Sequence, residues 1–316
     1  MQGRTKFLPL ATLLIALSPF IFSSCFTGVE STKKITLSKD DRKLLKPTEE
    51  ERFFNNIEAI PLEKWEKGHP FYAADDRTLL IFDQQGLPSD IEKIALGGKT
   101  LSYQGFTTRL GADGNDYVWL TFSDGENAYN FNTGKRENEA MKEILSDALP
   151  MMVDLGMIHQ ASLLLSGKKL WTRTALWYNS EGDRIEGKKF VPVNIKSVQP
   201  GTMVFPIKVV FTDENNEDAT LFLNFGHSPT DSRSFSHIFS LSDIRKKYPS
   251  ISDEVWELIC SEKIRNGMTK EECRLSLGNP TEVSAGHDYS QTLDLWHYQD
   301  GTVLWFEDGL LTRFRK

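Results

Sequence analysis

The stretch Ile264-Arg265-Asn266-Gly267-Met268-Thr269-Lys270-Glu271-Glu272-Cys273, continuing through Leu277-Gly278-Asn279-Pro280, decides how the carboxyl end folds. Thr269 and Glu272 have the spacing of a capping box: the hydroxyl accepts from an early helical N–H, and the carboxylate accepts from the N–H of the cap residue. Met268 and Cys273 complete a hydrophobic staple across that first turn. Gly278, just past Leu277, supplies the left-handed residue that ends a helix at little cost, and Pro280 keeps the helix from restarting. The spacing predicts a short, sharply bounded helix.

On the carboxyl side, residues 293–298, 302–307 and 310–314 read as strands. Asp300-Gly301 and Asp308-Gly309 separate them, the dipeptides preferred in tight hairpin turns. On the amino side, Ser252 can cap a helix with Asp253 and Glu254 in its first turn and Val255, Trp256, Ile259 and Cys260 as its apolar stripe. The expected order over residues 241–316 is helix, helix and three strands. If Asp308-Gly309 makes a two-residue turn, Phe306 pairs with Leu311 on one face of this sheet. Val303, Trp305, Leu310 and Phe314 then lie on the other. Two helices cover only one face, so those four residues form a candidate interaction surface.

Gly267-Met268-Thr269-x-x-Glu272, Leu277-Gly278-x-Pro280, Trp296-x-Tyr298 and Phe306-x-Asp308-Gly309 together resemble the SmpA/OmlA, or BamE-like, lipoprotein family. The resemblance covers only residues 250–316. It implies a small α+β domain and, in members of the family that are periplasmic lipoproteins, assistance to outer-membrane β-barrel assembly. This chain departs from that pattern by carrying a long additional region ahead of the module, and a shared fold says less about function than a shared site does.

The amino end sets the compartment. Arg4 and Lys6 precede an apolar run over 7–22, and Phe22-Ser23-Ser24-Cys25 closes it, the layout of a lipoprotein signal peptide over 1–24 with Cys25 as the lipidated residue. Phe22 departs from the usual aliphatic residue at that position. Residues 25–51 are polar and charged without periodicity and read as a flexible tether. Because no acidic cluster follows Cys25, the expected location is the outer membrane facing the periplasm, with the cell surface as the alternative.

Composition, 39% hydrophobic and 26% charged, is that of a globular chain. The net charge is −7; losing Arg4 and Lys6 from 37 basic residues while keeping all 44 acids leaves −9 in the mature chain. That balance argues against nucleic acid and gives no electrostatic help at anionic lipid, so membrane attachment rests on the anchor. Of three cysteines, Cys260 and Cys273 remain for the folded part, either as a disulfide worth about 3 kcal/mol or as two buried thiols.

Residues 52–240 read as a β-rich domain. Strand-like runs fall at 78–82, 117–122, 127–131, 169–177, 190–198, 204–211 and 219–225, with one helical candidate over 137–155. A small barrel or sandwich is the expected architecture. Leu96-Gly97-Gly98-Lys99-Thr100-Leu101 echoes Leu165-Ser166-Gly167-Lys168-Lys169-Leu170, which suggests two Src-homology-3-like repeats with a boundary near 145; one larger β domain is the alternative.

Chemistry-bearing patterns are sparse. The histidines His69, His159, His227, His237, His287 and His297 show no metal-ligand spacing, and Gly97-Gly98-Lys99-Thr100 lacks the helix a phosphate loop needs. A Cys273–His287 nucleophile and base is rejected because Cys273 sits on a core stripe. Most of the aromatics read as core, but Trp171, Trp177 and Tyr178 are close enough in sequence to suggest a ligand groove for cell-wall glycan or peptide. The reading is a non-enzymatic, membrane-anchored interaction and assembly module with an envelope protein as partner, and no metal or cofactor is implied. A Cys25→Ser chain is expected to lose incorporation of radiolabelled palmitate in an expressing bacterium; full labelling of that variant would contradict the anchor.

Overall fold

The computed structural model describes residues 47–83, 94–142, 149–225, 231–288 and 291–316. The signal peptide, Cys25, the tether up to residue 46, His227 and the boundary near 145 lie outside the described residues. The last residues of the expected tether are not extended: Glu49–Phe54 is a helix (α1), started by a capping box between Thr48 and Glu51.

The first sheet is built from β1 (Pro70–Ala73), β2 (Thr100–Leu110), β3 (Asp116–Ser123), β4 (Ala128–Asn132) and β5 (Met152–Asp154), in the order β4-β3-β2-β1-β5. Every pairing is antiparallel. Period-two alternation drives it: Val118, Leu120 and Phe122 are fully buried while their neighbours are not. Trp65, Phe71, Phe82 and Tyr129 fill the same core.

Two expectations fail here for identifiable reasons. The run at 78–82 is a 3₁₀ helix, Asp76–Ile81, because the Asp75 carboxylate accepts from the Arg77 N–H and starts a turn, while the Thr78 hydroxyl donates to the Met151 carbonyl. Of the helix expected over 137–155, the described residues show a short helix, Glu137–Ala140 (α2), and, after residues 143–148, which lie outside the described residues, the strand β5. Asp154 breaks the pattern by capping a different helix, α3 (Leu155–Leu165), whose Gly156 and Met157 N–H groups donate to its carboxylate.

The second sheet has seven strands in the order β12-β6-β9-β10-β11-β7-β8. They are β6 (Lys169–Thr172), β7 (Leu176–Tyr178), β8 (Arg184–Glu186), β9 (Pro192–Pro200), β10 (Ile207–Thr212), β11 (Asp218–Leu223) and β12 (Phe239–Ser240), the last following a helical turn, α4 (Phe235–Ile238). The single strand expected over 169–177 is thus two strands on opposite sides of the β9-β10-β11 meander. Met157, Ile158, Ala161 and Leu165 of α3 share one core with Val193, Ile195, Val209, Phe211 and Leu221 of the sheet.

The expected small barrel, sandwich or pair of Src-homology-3-like repeats is therefore corrected to two open sheets of five and seven strands. In the second, the α3 helix supplies the apolar cover that a sandwich would take from another sheet. The sequence echo is a repeated turn, not a repeated domain. Lys99 and Lys168 each donate from the backbone to the leucine three residues back (2.9 and 3.1 Å), with Gly98 at φ +80° and Gly167 at φ +75°. The strands that follow enter sheets of different order.

At the carboxyl end, α5 (Asp253–Cys260) and α6 (Lys270–Leu277) precede β13 (Glu282–Asp288), β14 (Gln291–His297), β15 (Val303–Glu307) and β16 (Leu310–Arg315). The expected helix-helix-three-strand domain is corrected: the sheet has four strands in sequential order. The additional strand is the run Glu282-Val283-Ser284-Ala285-Gly286, which carries too little apolar alternation to announce itself. Thr269 accepts from the Glu272 N–H at 3.2 Å and Glu272 accepts from the Thr269 N–H at 2.7 Å, and Ser252 accepts from the Val255 N–H. Ile259, Cys260, Cys273, Trp296, Leu304, Phe306 and Leu311 form the core between helices and sheet. Cys260 and Cys273 are both free thiols there.

Packing is close at Gly187, just past β8, where an added Cβ would lie 2.2 Å from the Trp177 ring. Trp177 is itself 6% exposed, T-stacked on Phe211 and donating from its indole N–H to the Thr174 carbonyl. Gly187→Ala is expected to lower stability by roughly 1–3 kcal/mol, the usual range for overpacking; chemical denaturation checks it, and an unchanged midpoint would show that this packing is not as tight as described.

Candidate functional site

The strand register of the last sheet decides which side chains face away from the helices. Trp296 lies opposite Leu304, and Asp294 opposite Phe306, on the helix-covered side. Leu295 lies opposite Trp305 and Leu293 opposite Glu307, on the other. Across the second hairpin Phe306 pairs with Leu311 and Glu307 with Leu310. Between Trp305 and Phe306 the register slips, so that Trp305 pairs with Arg313 and Leu304 with Phe314. Thr312 is the extra residue, and its hydroxyl donates to the Trp305 carbonyl at 3.2 Å.

That bulge corrects one expectation. Phe314 is carried to the helix side opposite Leu304, 38% exposed at its margin, rather than to the side of Trp305. Val303, Trp305 and Leu310 do share the outer side, and Leu293 and Leu295 join them. Val303 is buried, Leu293 is 36% exposed and Leu310 47% exposed. The Arg313 guanidinium lies 4.2 Å from the centre of the Trp305 ring. A cleft of about 390 Å³ runs over this face, lined by Ser284, Gly286, Leu293, Leu295, Trp305 and Glu307. On the β13 side Ser284 and the side-chain-free Gly286 line it, and Trp305 lines the other.

The three aromatics of the proposed ligand groove do not converge. Trp177 and Tyr178 are consecutive on β7 and project to opposite faces: Trp177 into the core, Tyr178 against Phe222 and beneath Arg233. Trp171, on β6, is separated from them by the three-stranded meander. Trp177 does wall a cleft of about 270 Å³, but its companions there are Ile185, Val191 and an acidic rim of Glu186, Asp213, Glu214, Glu217 and Asp218.

Burial pushes the Cys273 thiol up to about 12 and the Cys260 thiol up to about 11, so both stay protonated at neutral pH and neither is an activated nucleophile. His287 has no described side chain. Among the described residues no group of three or more His, Cys, Asp or Glu side chains is placed to hold a metal ion. A His–Asp pair does occur: His69 lies 2.9 Å from Asp154, stacked on Trp65, and Asp154 is spent on capping α3.

What the sequence reading missed is a set of cationic groups gathered where three parts of the chain meet. Lys188-Lys189-Phe190-Val191 runs from the middle sheet onto the C-terminal helices. The Lys189 N–H donates to the Cys260 carbonyl at 2.9 Å, Phe190 stacks on Trp256 at 5.6 Å, and Val191 packs against both cores. The Lys189 ammonium is buried, donates to the Ser276 carbonyl at the end of α6 and lies 3.8 Å from Glu262. Desolvation lowers its pKa to about 8 from the ordinary 10.5.

The sign of the consequence follows. Between about 8 and 10.5 the unfolded chain holds a proton on this amine that the folded chain has released, so folding stability rises with pH across that window. Comparison of denaturation midpoints with Lys189→Met is expected to favour the native chain increasingly from pH 8 to 10, by at most about 3 kcal/mol, and to be flat below pH 8. An advantage that shrinks as pH rises would contradict the buried placement.

No family model, no curated protein and no solved structure matches this chain.

Proposed function

We propose that this chain is a lipid-anchored, non-catalytic interaction module of the bacterial outer envelope, held at the outer membrane through Cys25 and facing the periplasm. The observation that carries the reading is the outer side of the C-terminal sheet, where Leu293, Leu295, Trp305 and Leu310 share one face, with Leu293 and Leu310 exposed and Leu295 and Trp305 half-buried. An isolated exposed leucine is ordinary on a protein surface, but several apolar side chains gathered on one face near an edge strand favour association. The partner is a protein anchored in the same membrane that offers an apolar surface of its own. Sharing a membrane raises its effective concentration, so modest contacts suffice. The SmpA/OmlA resemblance at Gly267-Met268-Thr269, Trp296 and Asp308-Gly309 supports an assembly role, while the fourth strand and the two preceding sheets set this chain apart from the family pattern.

The test is site-specific photocrosslinking in the native envelope. A crosslinker at Leu293 is expected to yield a discrete adduct that one at Glu271, on the exposed side of α6, does not. Trp305→Ala is expected to remove the adduct while the purified chain still unfolds cooperatively. Equal adducts from both positions, or an adduct indifferent to Trp305→Ala, would overturn the reading.

A further inference from the structure

Where α1, the middle sheet and α6 meet there is a cleft of about 420 Å³, and its charged lining is not balanced internally. Arg173, Lys189, His237 and Arg274 face it, together with Glu50 and Glu51. The two carboxylates are already engaged. Glu50 accepts from Arg173 Nη2 at 3.4 Å, from the Ser240 hydroxyl at 3.1 Å and from the Leu241 N–H at 3.4 Å, and these contacts outweigh burial to hold it below the usual carboxylate range. Glu51 accepts from the Thr48 N–H in the capping box of α1.

Lys189 is held by the Ser276 carbonyl and Glu262, and Arg173 reaches Glu50 through Nη2, but Arg173 and Arg274 keep donors that these contacts do not use. The Arg173 Nε is buried with no hydrogen-bond partner. A buried donor left unpaired is costly, and an oxyanion seated in the cleft is one group that would satisfy it. Arg274 makes no side-chain hydrogen bond or ion pair among the described residues; its guanidinium is held 4.7 Å from the centre of the Trp296 ring, which fixes the plane of the fork without using its N–H groups. His237 is oriented through Nδ1 by the Ser234 hydroxyl at 2.8 Å, with no partner for Nε2 among the described residues, and Ser236 adds a hydroxyl to the same lining. Phe190 and Leu275 supply apolar wall, and Gly278 leaves room beside the end of α6.

We propose that this junction cleft binds a small molecule bearing an oxyanion, a carboxylate or a phosphate, with the Arg173 and Arg274 guanidinium groups as its principal donors and His237 and Ser236 as orienting ones. Two guanidinium groups presenting N–H forks suit planar or tetrahedral oxyanions better than a halide. The mature chain is acidic overall, so attraction to an anion here is a property of this locality rather than of the general field. The size of the cleft matches a compact metabolite rather than a polymer. Because it draws on three segments far apart in sequence, occupancy would also brace the C-terminal helices against the middle sheet. This site is separate from the outer face of the C-terminal sheet and stands or falls independently of it.

Calorimetric titration of the full lipidated chain in detergent at low ionic strength tests it, with inorganic phosphate and succinate as probes and sodium chloride at matched ionic strength as the blank. Saturable one-to-one binding of at least one probe is expected, weakened at least tenfold by Arg274→Gln and unchanged by Arg313→Gln, whose guanidinium lies on Trp305. Binding of phosphate alone assigns a phosphate ligand and of succinate alone a carboxylate ligand. Arg173→Gln removes the orphaned donor and is expected to weaken binding to a similar extent; because it also frees Glu50, His237→Gln serves as the second variant if that chain does not fold. Absence of saturable binding by both probes, or equal weakening by Arg274→Gln and Arg313→Gln, would overturn the proposal.

Discussion

A small sheet has two faces, and the paired helices of the C-terminal module reach only one. Everything else about that module follows from how the chain assigns side chains to the two sides. Trp296, Leu304, Phe306 and Leu311 close against Ile259, Cys260 and Cys273, and the caps at Ser252 and Thr269 fix where each helix begins, hence which of its residues face inward. The opposite side is assigned by alternation, which places Leu293, Leu295, Val303 and Trp305 there together with His297 and Glu307. The bulge at Thr312 then removes Phe314 from that side and replaces it with Arg313, which lies over Trp305 and gives the apolar patch one charged border. The patch is therefore narrower and more polar-edged than a simple two-residue hairpin would make it.

The module is not an appendage on a loose linker. Phe190 sits at φ +61°, a region that a bulky residue enters only when its surroundings demand it, and the demand comes from two directions: the Phe190 N–H donates to the Thr172 carbonyl at 2.6 Å, and its ring stacks on Trp256. Lys189, next to it, places an ammonium at the carboxyl end of α6, where unpaired helix carbonyls and the helix dipole favour a cation. Desolvation opposes that placement and is the larger influence on the amine. The contact is thus specific rather than strongly stabilising in itself: its removal leaves the Ser276 carbonyl without its donor, whereas its presence ties the end of α6 to the segment that enters β9.

Legibility in the sequence tracked how local each signal is. Capping residues and Asp-Gly turns act over three or four positions, so the ends of α5 and α6 and the hairpins at Gly301 and Gly309 could be read directly. The strand Glu282–Asp288 could not, because its stability comes from pairing with β14 rather than from its own apolar alternation. The run 169–177 looked like one strand because Arg173-Thr174-Ala175 carries no glycine or proline to mark the break; the break is made by tertiary pairing of β6 with β9 and of β7 with β11. The bulge at Thr312 likewise has no composition signal. The cations of the junction cleft are spread between residues 173 and 274, and only the packing of the sheet against α6 brings them together.

The division of the last sheet into a sealed and an open side is measured most directly by cysteine accessibility. Single cysteines at Leu293, Leu295 and Leu310 are predicted to react with a maleimide in the native chain, while cysteines at Leu304, Phe306 and Leu311, like native Cys260 and Cys273, react only after denaturation. Equal native reactivity in the two sets would contradict the account, and so would protection of the outer set in the purified, isolated chain.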